Sequence, residues 1–132
     1  MKNIILLVEN SPQRVEVLEG WCPKDFRLVA VTNGNTAIGM LRRDTGKVYS
    51  GVMLDFDLDA IIENDLKSGL DVAQTMLDYT AREVPVFVHS MNPGGANEAV
   101  NVLRGAGYDV TRKPFNEMNK EDLLEWLEDC RH

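Results

Sequence analysis

At 132 residues, with 44% hydrophobic and 27% charged side chains, the chain has the length and make-up of one globular domain with a single core. Its formal charge of −7 argues against non-specific binding to nucleic acid or an anionic membrane, both of which need basic patches. Cys22 and Cys130 are too few and too far apart for a disulfide framework or a zinc site, and read as free thiols in a reducing cytoplasm.

Ile4 to Val8 is an apolar run cut off by Glu9, too short to cross a bilayer and without the small-residue cleavage site of a signal peptide. It reads as a buried strand. Ser11 then caps a first helix with Pro12 at its first position, Val15, Leu18 and Trp21 on the apolar side, and an end near Gly20. Arg27 to Thr32 is a second strand. Asn33-Gly34-Asn35-Thr36 opens a helix that turns Ala37, Ile38, Met40 and Leu41 inward and closes at Asp44-Thr45-Gly46. Gly51 to Phe56 is the third strand, and a polar segment from Asp57 to Ser68 leads to a helix over about Gly69 to Thr80. Val84 to His89 is the fourth strand, with Pro85 near its start where a missing donor matters least. Asn92-Pro93-Gly94-Gly95 reads as a turn before a helix over Ala96 to Arg104. Tyr108 to Arg112 is a short fifth strand, broken by Lys113-Pro114-Phe115, and Asn119-Lys120-Glu121-Asp122 starts a last helix carrying Leu123, Leu124, Trp126 and Leu127.

Strand and helix alternate five times. That pattern predicts an α/β fold: a doubly wound, five-stranded parallel sheet of order 2-1-3-4-5 with helices on both faces, as one flavodoxin-like domain over residues 1–132. In this order the carboxyl ends of strands one, three, four and five converge on one crevice. They deliver Glu9 and Asn10, Asp55 and Asp57, His89 and Ser90, and Lys113. Such a set suits phosphoryl transfer. A carboxylate can act as nucleophile, Mg²⁺ takes one or two carboxylates, and a lysine and a hydroxyl can bind the remaining phosphoryl oxygens.

Leu6 to Pro12, Met53-Leu54-Asp55, Pro85 to Ser90 and Lys113-Pro114-Phe115 resemble the receiver domain of two-component response regulators over nearly the whole chain. The resemblance implies Asp55 as phosphoacceptor, Ser90 as switch hydroxyl, and Lys113 as the phosphate-binding lysine, joined to Pro114 by a cis bond. It implies Mg²⁺ held by Glu9, Asn10, Asp55 and Asp57, a histidine kinase or small-molecule phosphodonor, and a protein partner that reads the output. Asn10 departs from the family's usual second acid, which weakens the expected Mg²⁺ site unless Asp57 or Asp59 compensates. The family's aromatic before the lysine falls on Val110 or Thr111, with Tyr108 earlier, and the segment from Asp55 to Gly69 is long and acidic.

Asp55-Phe56-Asp57-Leu58, Gly69 to Ala73, and Val88-His89-Ser90-Met91-Asn92-Pro93 with Gly95 are similar to a narrower group, the cyclic-phosphate-processing receiver domains. That similarity implies His89 as a general acid or base and Asn92 as a substrate contact, although Phe56 stands where that group tends to have histidine. Plainer roles compete. Side chains alternate along a strand, so if Ser90 faces the crevice His89 faces away as a structural histidine, unless the strand has already ended there. Asn92 can simply turn or cap the chain before Pro93. Asp59, Glu63 and Asp65 read as a solvated loop, Met40, Met53 and Met76 as core filler, and Trp126 as packing. Three functions follow. The complete Asp55, Ser90 and Lys113 set puts a phosphorelay phosphoacceptor first. A cyclic-phosphate enzyme using Asp55, His89, Ser90 and Lys113 comes next, and a pseudo-receiver that binds a partner without chemistry last.

Overall fold

The five apolar runs become the five strands of one parallel sheet in the computed structural model, which describes residues 3–44, 47–55 and 69–131. In chain order the elements are β1 (Asn3–Val8), α1 (Pro12–Trp21), β2 (Phe26–Val31), α2 (Gly34–Arg42), β3 (Tyr49–Leu54), α3 (Gly69–Tyr79), β4 (Val86–Val88), α4 (Pro93–Gly105), β5 (Val110–Arg112) and α5 (Lys120–Asp129). A 3₁₀ turn over Phe115–Glu117 joins β5 to α5. The strand order is β2-β1-β3-β4-β5, and every neighbouring pair is parallel, as the alternation predicts.

Caps set the helix starts. Ser11 Oγ accepts the N–H of Arg14 at 3.4 Å, Asn33 Oδ1 that of Thr36 at 2.8 Å, and Asn119 and Asp122 form a reciprocal capping box. Several boundaries differ from expectation: β2 and β3 start one and two residues early, β5 starts two residues late at Val110, and three further ends shift. Asn92-Pro93-Gly94-Gly95 is not a separate turn: Asn92 Oδ1 accepts the N–H of Gly95 at 3.2 Å and Pro93 takes the first helical position, so α4 begins three residues before Ala96. α1 passes through Gly20 to Trp21, and the N–H of Cys22 closes its last turn on Glu19 O at 3.2 Å. β4 ends at Val88, one residue short of His89.

Alternation divides the core into two layers. Leu6, Val8, Val52, Leu54, Val86 and Val88 pack under α2, α3 and α4 against Val72, Ala73, Met76, Ala96 and Leu103. Ile5, Leu7, Met53 and Phe87 pack on the other face with Leu18 of α1 and with Leu123, Trp126 and Leu127 of α5. α5 lies directly on β3 at Gly51, where a Cβ would fall 2.7 Å from Cys130 Sγ and 2.8 Å from Trp126 Cη2. The Trp126 ring meets Phe87 edge-on, with centroids 5.6 Å apart. Cys22 and Cys130 are both free thiols, and burial pushes the Cys130 thiol up to about 12, which makes it inert packing. Tyr108 ties α3 to the β5 side: its hydroxyl lies 2.7 Å from Met76 O and 2.6 Å from Thr80 O, and accepts from Arg82 Nη1 at 2.6 Å. Among the described residues no helix is long and apolar enough to cross a membrane.

Candidate active site

The backbone ladder runs one residue past the ends of the strands. Asp55 N–H donates to Val8 O at 3.0 Å, His89 N–H to Leu54 O at 3.1 Å, and Lys113 N–H to Val88 O at 3.2 Å. Val8, Leu54, Val88 and Arg112 are already in register across β1, β3, β4 and β5. The next row is therefore Glu9, Asp55, His89 and Lys113, at the carboxyl edge where such sheets place their ligands. Val8, Leu54 and Val88 face α2–α4, so the following row turns toward α1 and α5. β4 has ended before His89, the case in which alternation from Ser90 does not turn its side chain away from the crevice. Its orientation follows from register with Asp55, not from Ser90.

His89 and Glu9 are both 0% exposed, and His89 Nε2 lies 3.0 Å from Glu9 Oε1. Glu9 Oε2 accepts the N–H of Ser11 at 3.0 Å. Burial pushes the Glu9 carboxyl up, but the His89 hydrogen bond, the Ser11 N–H and the charges of His89 and Arg14 outweigh it and hold the group below its ordinary value. An ionised carboxylate only accepts, so Nε2 carries the proton of the shared bond. The other ring nitrogen, Nδ1, is buried and has no hydrogen-bond partner among the described residues.

Arg14 was not among the residues the strand ends point to. Its Nη1 lies 3.7 Å from Glu9 Oε1 and 3.9 Å from Asp55 Oδ2, while Asp55 is only 2% exposed. The guanidinium sits 5.2 Å from the Phe115 ring centroid, and Nη2 is 3.2 Å from Met91 Sδ. Phe115 is itself anchored, its N–H donating to His89 O at 3.0 Å. One sequence signal does mark Arg14: it is a cation in the first turn of a helix, where the dipole disfavours positive charge unless an acid lies close by.

Lys113 is in the row, but its ammonium pairs with Asp122 Oδ2 on α5 at 3.0 Å. The Asn119 backbone N–H and that ammonium hold the Asp122 carboxyl below its usual range. The bond from Lys113 to Pro114 is trans, as are all peptide bonds among the described residues, so the expected cis bond is absent. Ser90 is buried, and its Oγ accepts the N–H of Asn92 at 3.1 Å. Asn92 is the α4 cap that the plainer reading anticipated. Asn10 is half-buried beside Glu9. Phe56, Asp57, Asp59, Glu63 and Asp65 lie outside the described residues.

In the described part of the Mg²⁺ set an ion would compete with the Arg14 guanidinium for Glu9 and Asp55. Both Glu9 oxygens already accept hydrogen bonds, and the Arg14 guanidinium lies within 4 Å of both carboxylates. Among the described residues no three His, Cys, Asp or Glu side chains converge as a metal site.

Residues 5–105 match the family model described as the cyclic-phosphate processing receiver domain. No curated protein matches the sequence closely enough to count as a relative. Among solved structures, a signal receiver domain from Vibrio parahaemolyticus superposes with a TM-score of 0.71 at 21% identity, over 98% of this chain and 90% of that one. The receiver domain of a sensor histidine kinase from Pseudomonas aeruginosa, which has a magnesium ion in its active-site cleft, gives 0.70 at 22% identity over 97% and 96%. A CheY-like receiver domain from Methylobacillus flagellatus gives 0.67 at 19% identity over 99% and 100%. At these identities the structural likeness establishes the fold.

Proposed function

Because the chain belongs to the cyclic-phosphate processing receiver domain family, we propose that it opens a cyclic phosphate ester, with Asp55 as nucleophile and the Glu9–His89 dyad as its acid and base. The observation that supports this most is the buried 3.0 Å contact between His89 Nε2 and Glu9 Oε1, in the same row as Asp55. A base oriented by a carboxylate through one ring nitrogen leaves the other for proton exchange, and in His89 that atom is Nδ1. In the first step an Asp55 oxygen bonds to phosphorus, a ring P–O bond breaks, and Nδ1–H protonates the departing alkoxide. Water then attacks the same phosphorus and returns a proton to Nδ1. The Asp55–phosphorus bond breaks, leaving an open phosphomonoester. Ser90 contributes its hydroxyl proton to a phosphoryl oxygen.

The test is a panel of cyclic phosphates offered to the purified protein. Turnover is expected, with a loss of about 10²–10⁴-fold in His89→Gln, the usual contribution of a positioned acid or base. Asp55→Asn abolishes it. A second reading, a phosphoacceptor of a cytoplasmic relay with a histidine kinase or acyl phosphate as donor and a protein partner as output, draws on the receiver fold itself and on Asp55 at its sheet edge. No turnover of any cyclic phosphate, together with a persistent acid-labile phosphate on Asp55 from acetyl phosphate, would establish that reading instead.

A further inference from the structure

We propose that Arg14 is the resident cation of this site: it stands where a divalent ion would bridge Glu9 and Asp55, and receives phosphoryl oxygens in the ion's place. The inference does not depend on whether the bound phosphate is then turned over. Two carboxylates, 0% and 2% exposed, lie in adjacent positions of one row, and a buried pair of like charges demands a counter-charge. Arg14 supplies it from α1, with Nη1 3.7 Å from one and 3.9 Å from the other.

Both separations are longer than a hydrogen bond, so the attraction is electrostatic and leaves the guanidinium N–H groups available. The partner of Nη2, the Met91 thioether, is a weak acceptor that a phosphoryl oxygen readily replaces. The guanidinium lies over the Phe115 ring, 5.2 Å from its centroid, and the Phe115 N–H donates to His89 O. The Arg14 side chain is 28% exposed, so a phosphate can reach it from solvent. A planar fork held in this way suits bidentate binding of a phosphate better than a point charge does.

Calorimetric titrations with inorganic phosphate in EDTA, and separately with MgCl₂, test the assignment on the full chain. The wild type is expected to bind phosphate equally well in EDTA and in Mg²⁺. Arg14→Met, which keeps apolar contact with Phe115, is expected to lose phosphate affinity about tenfold or more, the scale of one charge-assisted contact, and to gain Mg²⁺ binding. Arg14→Lys, which keeps the charge without the fork, falls between the two. A cooperative thermal transition and a wild-type far-UV circular dichroism spectrum show that the variants are folded. The proposal is overturned if wild-type phosphate binding needs Mg²⁺, if no phosphate binds in EDTA, or if Arg14→Met binds phosphate as the wild type does.

Discussion

Replacing Glu9 by Gln tests whether the centre of the site is held as a charge. The substitution keeps the shape and removes the carboxylate, so the bonds from His89 Nε2 and the Ser11 N–H lose their charge-assisted character, and the nearby Arg14 loses a counter-charge. Opposing this, the variant no longer buries a charge. The balance favours the wild type, because the Glu9 carboxyl is held below 4.5, its ordinary value, despite full burial. Two charge-assisted bonds each weakened by about 1 kcal/mol give a gross loss of about 2 kcal/mol at pH 7, and relief of the buried charge offsets part of it, leaving about 1–2 kcal/mol. For a domain of this size that is roughly 3–10 °C in melting temperature. The pH dependence fixes the cause. A depressed carboxyl contributes stability that is fully present above the unfolded value of 4.5 and is lost as pH falls through the lower folded value. The deficit of Glu9→Gln should therefore be constant between pH 7 and 5 and shrink below 4.5, where the wild-type group becomes a neutral acid like the amide. Urea unfolding followed by tryptophan fluorescence at stepped pH measures it. A variant as stable as the wild type at pH 7, or a deficit that persists unchanged in acid, refutes the charged dyad.

Two further predictions concern the frame that holds the row. Gly51→Ala puts a methyl 2.7 Å from Cys130 Sγ and 2.8 Å from the rigid Trp126 ring, so chemical denaturation should show a loss of about 1–3 kcal/mol, partly recovered by adding Cys130→Ala; wild-type stability in the single variant would mean that α5 does not rest on β3. Tyr108→Phe removes the hydroxyl between Met76 O, Thr80 O and Arg82 Nη1 and should cost about 0.5–1.5 kcal/mol in the same assay, the net worth of a hydrogen bond, since Met76 O keeps the Thr80 N–H and Thr80 O keeps Arg82 Nη1. A loss below about 0.5 kcal/mol, the scale of a surface change, would show that the hydroxyl is dispensable.

The fold was legible because each apolar run is short, bounded, and separated from the next by a helical pattern, and that alternation leaves few topologies. The errors in the chain have local causes. Asn92 and Pro93 are residues of turns and of helix starts alike, so composition alone did not separate the two, and only the Gly95 N–H on Asn92 Oδ1 decides for the helix. The side His89 takes hung on where β4 ends, which composition does not show: β4 ends at Val88, and the ladder bond from the His89 N–H to Leu54 O sets the side. Arg14 meets Met91 across 77 residues of sequence, a contact no spacing rule reaches. The Lys113–Asp122 pair escaped notice because Asp122 already had a role in the α5 cap.

The contacts that organise the row differ in how much they resist exchange. Lys113 and Asp122 are 37% and 22% exposed, and solvent screens a pair in that setting, so little holds it together. Asp122 also keeps its bond to the Asn119 N–H when the lysine leaves. Breaking the fully buried Glu9–His89 pair instead strands a charge in the core, at about 3–5 kcal/mol. The row therefore has a rigid β1–β4 half and a yielding β5 half. General acid–base chemistry needs the first, since a base displaced by even 1 Å loses its effect. A relay needs the second, since its signal is a change of contacts at the sheet edge. The Glu9–His89 contact lies in the rigid half, the half on which the proposed acid–base chemistry draws.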